Sequence, residues 1–208
     1  MKMRCALTVV LAVAGVLGMT GPPSVASGQA LSSAGLVSAL RRGGHVVVLR
    51  HARSPSETPD AATANADNPK RERQLDAIGR ANATAMGTAL RGLRIPVGDV
   101  LTSPTYRALE TIRLAQLPSP QPIVELGDGG QSMQGVTDAD AAWLRARVAR
   151  LPTGTNTFII THMPNLAKAF PEWGAVAEGE AVVLGRDDIG HIAPIGRIKI
   201  EDWPRLAR

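Results

Sequence analysis

Apolar positions along this chain fall into short unbroken runs, separated by stripes at helical spacing. Val46-Val47-Val48-Leu49 is such a run. It is rich in β-branched residues and reads as a strand buried on both faces. It leads directly into Arg50-His51-Ala52-Arg53. Thr157-Phe158-Ile159-Ile160 reads the same way and delivers Thr161-His162. Val100-Leu101-Thr102, Ile123-Val124, Ala181-Val182-Val183-Leu184 and residues 195–200 are further strand candidates, the last at a sheet edge. Between them lie helical patterns. Leu36, Val37 and Leu40 mark a helix over 31–42, stopped by Gly43-Gly44. Leu75, Ile78, Ala85, Met86, Ala89, Leu90 and Leu93 mark one over 75–93. Ser103-Pro104 reads as an N-cap followed by proline at the first helical position, opening a helix to about Gln116. Thr137 can cap a helix over 138–151 whose apolar face is Ala141, Leu144, Val148 and Leu151. Pro164-Asn165 opens a short helix through Phe170. Strands alternating with helices predict an α/β fold with a mostly parallel sheet and crossover connections. There is no internal repeat and no sign of a second domain.

Two stretches show no period. Residues 54–73 are polar and broken by Pro55, Pro59 and Pro69. A structureless stretch of this length is a binding loop or lid, or else disordered. Its start beside His51 favours a loop that shapes a pocket. Residues 126–136 form a glycine-rich loop. Substrate specificity is expected in these two loops.

The length of 208 residues suits one medium domain. Aromatics make up 3%, so Val, Leu, Ile and Ala must fill the core. The formal net charge of +5 suits an anionic ligand, but it comes from evenly spread arginine. No run of like charge and no aromatic-interleaved basic patch appears, so no nucleic-acid partner is expected. Lys2 and Arg4, an apolar run over 6–19, Gly21-Pro22-Pro23 and then small residues read as a secretory signal over 1–30. Cleavage is expected after Ala26 or Ala30; an uncleaved membrane anchor is the competing reading. The folded domain then spans 31–208, sits in the periplasm or outside the cell, and has no stable membrane insertion. Cys5, the one cysteine, falls in the signal, which leaves the mature chain without thiol, disulfide or cysteine metal site.

The chemistry gathers at strand ends. His51 and His162 each follow a buried strand, and Arg107 lies at the start of the helix after Ser103-Pro104. In an open α/β sheet all three, with Arg50, stand at the carboxyl edge, where ligands bind. Guanidinium groups bind phosphate through paired hydrogen bonds, and a helix N-terminus adds backbone N–H groups. A neutral imidazole can attack phosphorus, giving a phosphohistidine that water later hydrolyses. The cations neutralise the phosphoryl oxygens. His45 opens its strand at the wrong end and reads as structural or exposed; His191 reads as a surface residue. Neighbouring arginines would repel a divalent cation, so neither a metal nor another cofactor is expected.

These segments resemble the histidine phosphatase superfamily, the phosphoglycerate mutase-like fold. Leu49-Arg50-His51-Ala52 is similar to its Arg-His-Gly motif, with alanine in place of glycine. Ser103-Pro104-Thr105-Tyr106-Arg107-Ala108-Leu109-Glu110-Thr111 is similar to its Ser-Pro-x-x-Arg-Ala-x-Glu-Thr stretch. Arg73-Gln74-Leu75 with Gly79-Arg80, and the segment from Gly154 to Asn165 around His162, resemble two more. The match covers about residues 36–200, and small secreted bacterial members, including the lipopolysaccharide-heptose phosphatase type, are the nearest in look. The resemblance implies a three-layer α/β/α fold. It implies His51 as nucleophile, and Arg50, Arg107 and His162 as the phosphate pocket, with His162 also catalytic. Glu110 and Thr111 are structural support.

In the acid-phosphatase branch an aspartate follows the second histidine, where Met163 stands here. Glu180 resembles the glutamate of a Gly-Glu pair in secreted members and is nominated as proton donor; Glu178, Asp128 and Asp138 are the other candidates. The expected activity is hydrolysis of a small-molecule or glycan phosphomonoester. The alternatives are a phosphomutase of the same fold and a non-catalytic phosphate- or glycan-binding envelope protein.

Overall fold

The computed structural model describes residues 30–128 and 135–207. The expected signal segment therefore lies outside the described residues except for Ala30, as do residues 129–134 of the glycine-rich loop. Elements follow in the order α1 Ser33–Arg42, β1 Val46–Arg50, α2 Ala77–Gly92, β2 Val97–Thr102, α3 Tyr106–Ala115 and β3 Gln121–Pro122. Then come α4 Asp138–Val148, β4 Asn156–Thr161, α5 Met163–Ala169, β5 Glu180–Arg186, β6 Ile192–Lys199 and α6 Trp203–Leu206.

The sheet order is β3-β2-β4-β1-β5-β6. β3, β2, β4 and β1 are parallel; β5 and β6 are antiparallel to their neighbours. The sheet is thus mixed, with its parallel half made by helical crossovers and its antiparallel edge by a hairpin. Alternation along each strand feeds two cores. Val47 and Leu49 of β1 pack with Leu40, Met86, Leu90, Phe158 and Trp203 on one side. Val46 and Val48 pack with Leu144, Ile159, Leu166 and Val182 on the other. This is the three-layer α/β/α arrangement.

Three local expectations change. The strand at Ile123-Val124 is replaced by β3 at Gln121–Pro122, followed by a 3₁₀ turn over Val124–Leu126. Ile123 N–H still donates to Thr102 O, but Val124 projects into solvent, and Pro122 has no N–H to extend the ladder. The helix expected from Ser103-Pro104 begins later, with Thr105 at the N-cap. Ser103 Oγ is instead used by Thr105 N–H and by the ring of His162. The helix expected to reach residue 151 ends at Val148, though Thr137 caps it as read, in a reciprocal capping box with Asp140.

Register positions the site. Arg50 of β1 lies opposite Thr161 of β4, and Thr102 of β2 opposite Ile160. The residues that follow these three strands therefore leave the sheet side by side. β5 runs the other way, with Ala181 opposite Leu49, so the turn before β5 arrives at this same edge.

Candidate active site

His51 and His162 face each other at that edge, ring centroids 5.1 Å apart. Both are almost fully buried. Arg107 joins them. Its Nε donates to His51 Nε2 at 3.2 Å and its Nη2 to His162 Nδ1 at 3.0 Å. A guanidinium can only donate, so both of those ring nitrogens are acceptors, and this fixes the tautomers. His51 then carries its proton on Nδ1 and donates to Ala52 O at 2.8 Å. His162 carries its proton on Nε2 and donates to Ser103 Oγ at 2.7 Å. The result is a His51 Nε2 lone pair aimed at a cation.

Burial holds both rings neutral. His51 is pushed down from 6.5 to about 3, first by loss of solvent and then by the charges of Arg107, Arg50 and Arg73. His162 is also pushed down, by burial and then by Arg107. Burial lowers Arg107 as well, and the carboxylate of Asp128 beside it acts in the opposite direction. Asp128 Oδ2 accepts from Arg107 Nη2 and lies 3.6 Å from His162 Nδ1.

Arg50 completes the cluster from the β1 side. Its Nη1 donates to Val176 O at 3.0 Å and its Nη2 to Glu178 Oε1 at 3.3 Å. Its Nε is buried without a hydrogen-bond partner among the described residues. Gly179 N–H reaches the carbonyls of Arg50 and His51 at 3.1 and 2.9 Å, tying the turn before β5 to the two residues. Gly179 has φ +77°, and a Cβ there would lie 2.5 Å from Ile200 Cγ2, so only glycine fits.

His51, His162, Arg107, Arg50 and Asp128 are therefore brought together, and Glu178 stands at the rim through Arg50. Glu180 does not join them. It shares a strand face with Val182, and its carboxylate is taken by Arg197 and by Ala177 N–H. Asp138 is exposed and pairs with Lys168. His191 is exposed, as read, and His45 is half-buried at the opposite sheet end.

Residues 54–73 contain no helix or strand, but they are held in place. Asn68 bonds both the N–H and the carbonyl of Glu72, and Gln74 bonds Asn65 N–H and Thr63 O. Glu110, buried as structural support, accepts from Leu75 N–H and Arg80. Thr111 accepts from Ala52 N–H. Thr58, Lys70, Glu72 and Arg73 of this loop join Thr105, Arg107 and Asp128 around a cavity of about 490 Å³. Sequence reasoning missed Ser103 as the partner of His162, because serine before proline looks like a helix cap. It also missed Asn165, which donates to the carbonyls of Glu125 and Gly127 just before Asp128. Its place three residues after His162 was the available signal. Among the described residues, no three of His, Cys, Asp and Glu are grouped to hold a metal ion.

The sequence matches no family model, and no curated protein sequence aligns with it. Solved structures do match in shape. The protein histidine phosphatase SixA, solved with tungstate, has a TM-score of 0.53 at 18% identity, over 76% of this chain and 98% of its own. A mutant phosphoserine phosphatase from Entamoeba histolytica, solved with phosphoserine, has 0.51 at 10% identity, over 76% and 98%. YhfR from Bacillus stearothermophilus has 0.50 at 18% identity, over 75% and 98%. The fold is that of the histidine phosphatases.

Proposed function

We propose that this chain is a metal-independent phosphomonoesterase that works outside the cytoplasm through a phosphohistidine on His51. The observation that carries the reading is the pair of hydrogen bonds that Arg107 donates to His51 Nε2 and His162 Nδ1. It sets an unprotonated nucleophile against a cation that also lines the neighbouring cavity. A phosphoryl group there takes hydrogen bonds from Arg107 and from the Arg50 Nε that has no partner among the described residues, and its charge draws a proton onto His162 Nδ1, which then donates as well. His51 Nε2 attacks phosphorus as the bond to the leaving oxygen breaks. The N–P bond forms, and the leaving oxygen needs a proton. Asp128 is assigned as its source, since it is the carboxyl group beside Arg107 and His162. A phosphoryl dianion next to it favours the protonated form. Water then attacks the phosphohistidine, gives a proton back to Asp128, and releases orthophosphate and free His51.

The leaving group lies in the cavity lined by Thr58, Lys70, Glu72 and Arg73. These donors and acceptors suit a hydroxyl-rich small molecule or glycan. The basic start, apolar run and small-residue cut of 1–30 support export, with the mature chain free of stable membrane insertion. The test is turnover of p-nitrophenyl phosphate by the mature protein. His51→Ala abolishes it while orthophosphate still protects the protein against thermal unfolding. A variant that turned over at the parent rate would refute the mechanism.

A further inference from the structure

The carboxyl group of Asp128 has to stay where a leaving oxygen can meet it, yet its segment is a turn with no place in the sheet. Just before it run the carbonyls of Glu125, Leu126 and Gly127. Each one accepts a hydrogen bond from a buried side chain of the second-histidine segment. Thr161 Oγ1 donates to Leu126 O at 2.9 Å. Asn165 Nδ2 donates to Glu125 O at 3.1 Å and Gly127 O at 2.8 Å. Thr161 is the last residue of β4, and Asn165 lies in the first turn of α5. They flank His162 on either side. Both are almost fully buried.

The amide of Asn165 is held by its donor end alone. Its Oδ1 is buried with no hydrogen-bond partner among the described residues. Turning the amide over would set that oxygen against two carbonyl oxygens, so the orientation is forced. Leaving a buried acceptor unpaired costs free energy, and an apolar residue of similar size would avoid that cost. What the asparagine supplies in return is a two-point hold on the turn that carries Asp128.

We infer that Asn165 and Thr161 are positioning residues, which lock the Glu125–Gly127 turn to the His162 segment so that Asp128 meets the leaving oxygen. The inference rests on the reading of Asp128 as proton donor. One rigid piece of chain, Thr161 to Asn165, then sets both His162 on the phosphoryl group and the acid on the leaving group. The two move as a unit. A proton donor misplaced by about 1 Å loses much of its effect.

Leaving-group dependence separates positioning from plain stability. p-Nitrophenolate departs without a proton, whereas an alkoxide does not. Turnover of p-nitrophenyl phosphate and of an alkyl phosphate such as glycerol 2-phosphate is measured for Asn165→Ala, Thr161→Val and Asp128→Asn. Melting is followed by circular dichroism. Asp128→Asn is expected to slow the alkyl ester by roughly 100-fold and the aryl ester by less than about 5-fold. Asn165→Ala reproduces that selective loss at roughly 10-fold or more, and adds little when combined with Asp128→Asn. Thr161→Val, which keeps the volume, shows the same selectivity and serves if Asn165→Ala does not fold.

If Asp128→Asn discriminates between the esters while Asn165→Ala and Thr161→Val slow both alike, or neither, the clamp is refuted and the acid stands. If Asp128→Asn itself slows both alike, the acid assignment falls and the clamp falls with it. Phosphohistidine formation on His51 is untouched by either result.

Discussion

Replacing Glu110 by alanine should loosen the wall of the active-site cavity without touching its chemistry. Glu110 is 1% exposed, on α3, one turn beyond Arg107. Its Oε2 accepts from Leu75 N–H at 2.9 Å. Its Oε1 accepts from Arg80 Nη1 at 2.6 Å and from Asn65 Nδ2 at 3.1 Å. Arg80 is 41% exposed, so water screens its ion pair and replaces it when broken. The larger loss is at Leu75, whose N–H has no other acceptor among the described residues. Leaving such a donor unpaired costs about 1–3 kcal/mol, and the bonds to the charged oxygen add to that. A total near 3 kcal/mol follows, roughly a third of an ordinary domain's stability. Glu110→Gln should cost less, about 1–2 kcal/mol. Whichever way its amide turns, its NH₂ group faces a donor. The assay is urea unfolding at pH 7. With a slope near 2 kcal/mol per molar urea, the alanine variant's midpoint falls by about 1.5 M. Because Glu110 ties residues 65 and 75 to α3, KM for a phosphomonoester should rise more than kcat falls. A variant within about 0.5 kcal/mol of the parent would refute the claim that this carboxylate holds the loop.

Acid should destabilise the protein through its site. His51 is held near 3 in the folded chain against 6.5 in the open one. The unfolded chain therefore binds a proton that the folded chain refuses, and stability falls as pH drops from about 6.5 towards 3. The slope from His51 is up to about 1.4 kcal/mol per pH unit, and His51→Gln should flatten the urea midpoint between pH 7 and 5. An equal slope in parent and variant would contradict this. Gly87→Ala drives a Cβ into the carbonyl oxygen of Ala115, where α2 and α3 touch, so it should cost about 1–3 kcal/mol by urea unfolding. Gly92→Ala, with nothing within 4 Å, should be neutral or stabilising by less than about 1 kcal/mol.

The parts of the fold that the sequence announced are those where burial dictates residue type. Val46 to Leu49 and Phe158 to Ile160 must be apolar on both faces, so they stand out as strands, and the histidines after them could be placed at once. β3 was misread because a two-residue edge strand buries nothing: Gln121 and Pro122 are exposed, while the apolar pair beside them serves a turn. The candidate site was legible where strand ends and a helix start supply the groups, as at Arg50, His51, Arg107 and His162. It was not legible for the carboxyl group. Glu178 and Asp128 lie outside the regular elements and Glu180 is the first residue of β5, and where each carboxylate goes depends on local φ angles and distant cations. Arg197 takes Glu180 away from the site, and nothing near Glu180 in sequence signals that.

The central claim is that phosphate passes through His51, and rapid quenching measures it directly. Protein spanning residues 31–208 is mixed with p-nitrophenyl phosphate, quenched in alkali within milliseconds, digested and mapped by mass spectrometry. The account predicts a single phosphoryl group on the peptide carrying His51, bonded at Nε2, absent from His51→Ala and rising before orthophosphate appears. Turnover with no phosphorylated histidine at any time, or with the label on His162 or a carboxylate, would contradict it.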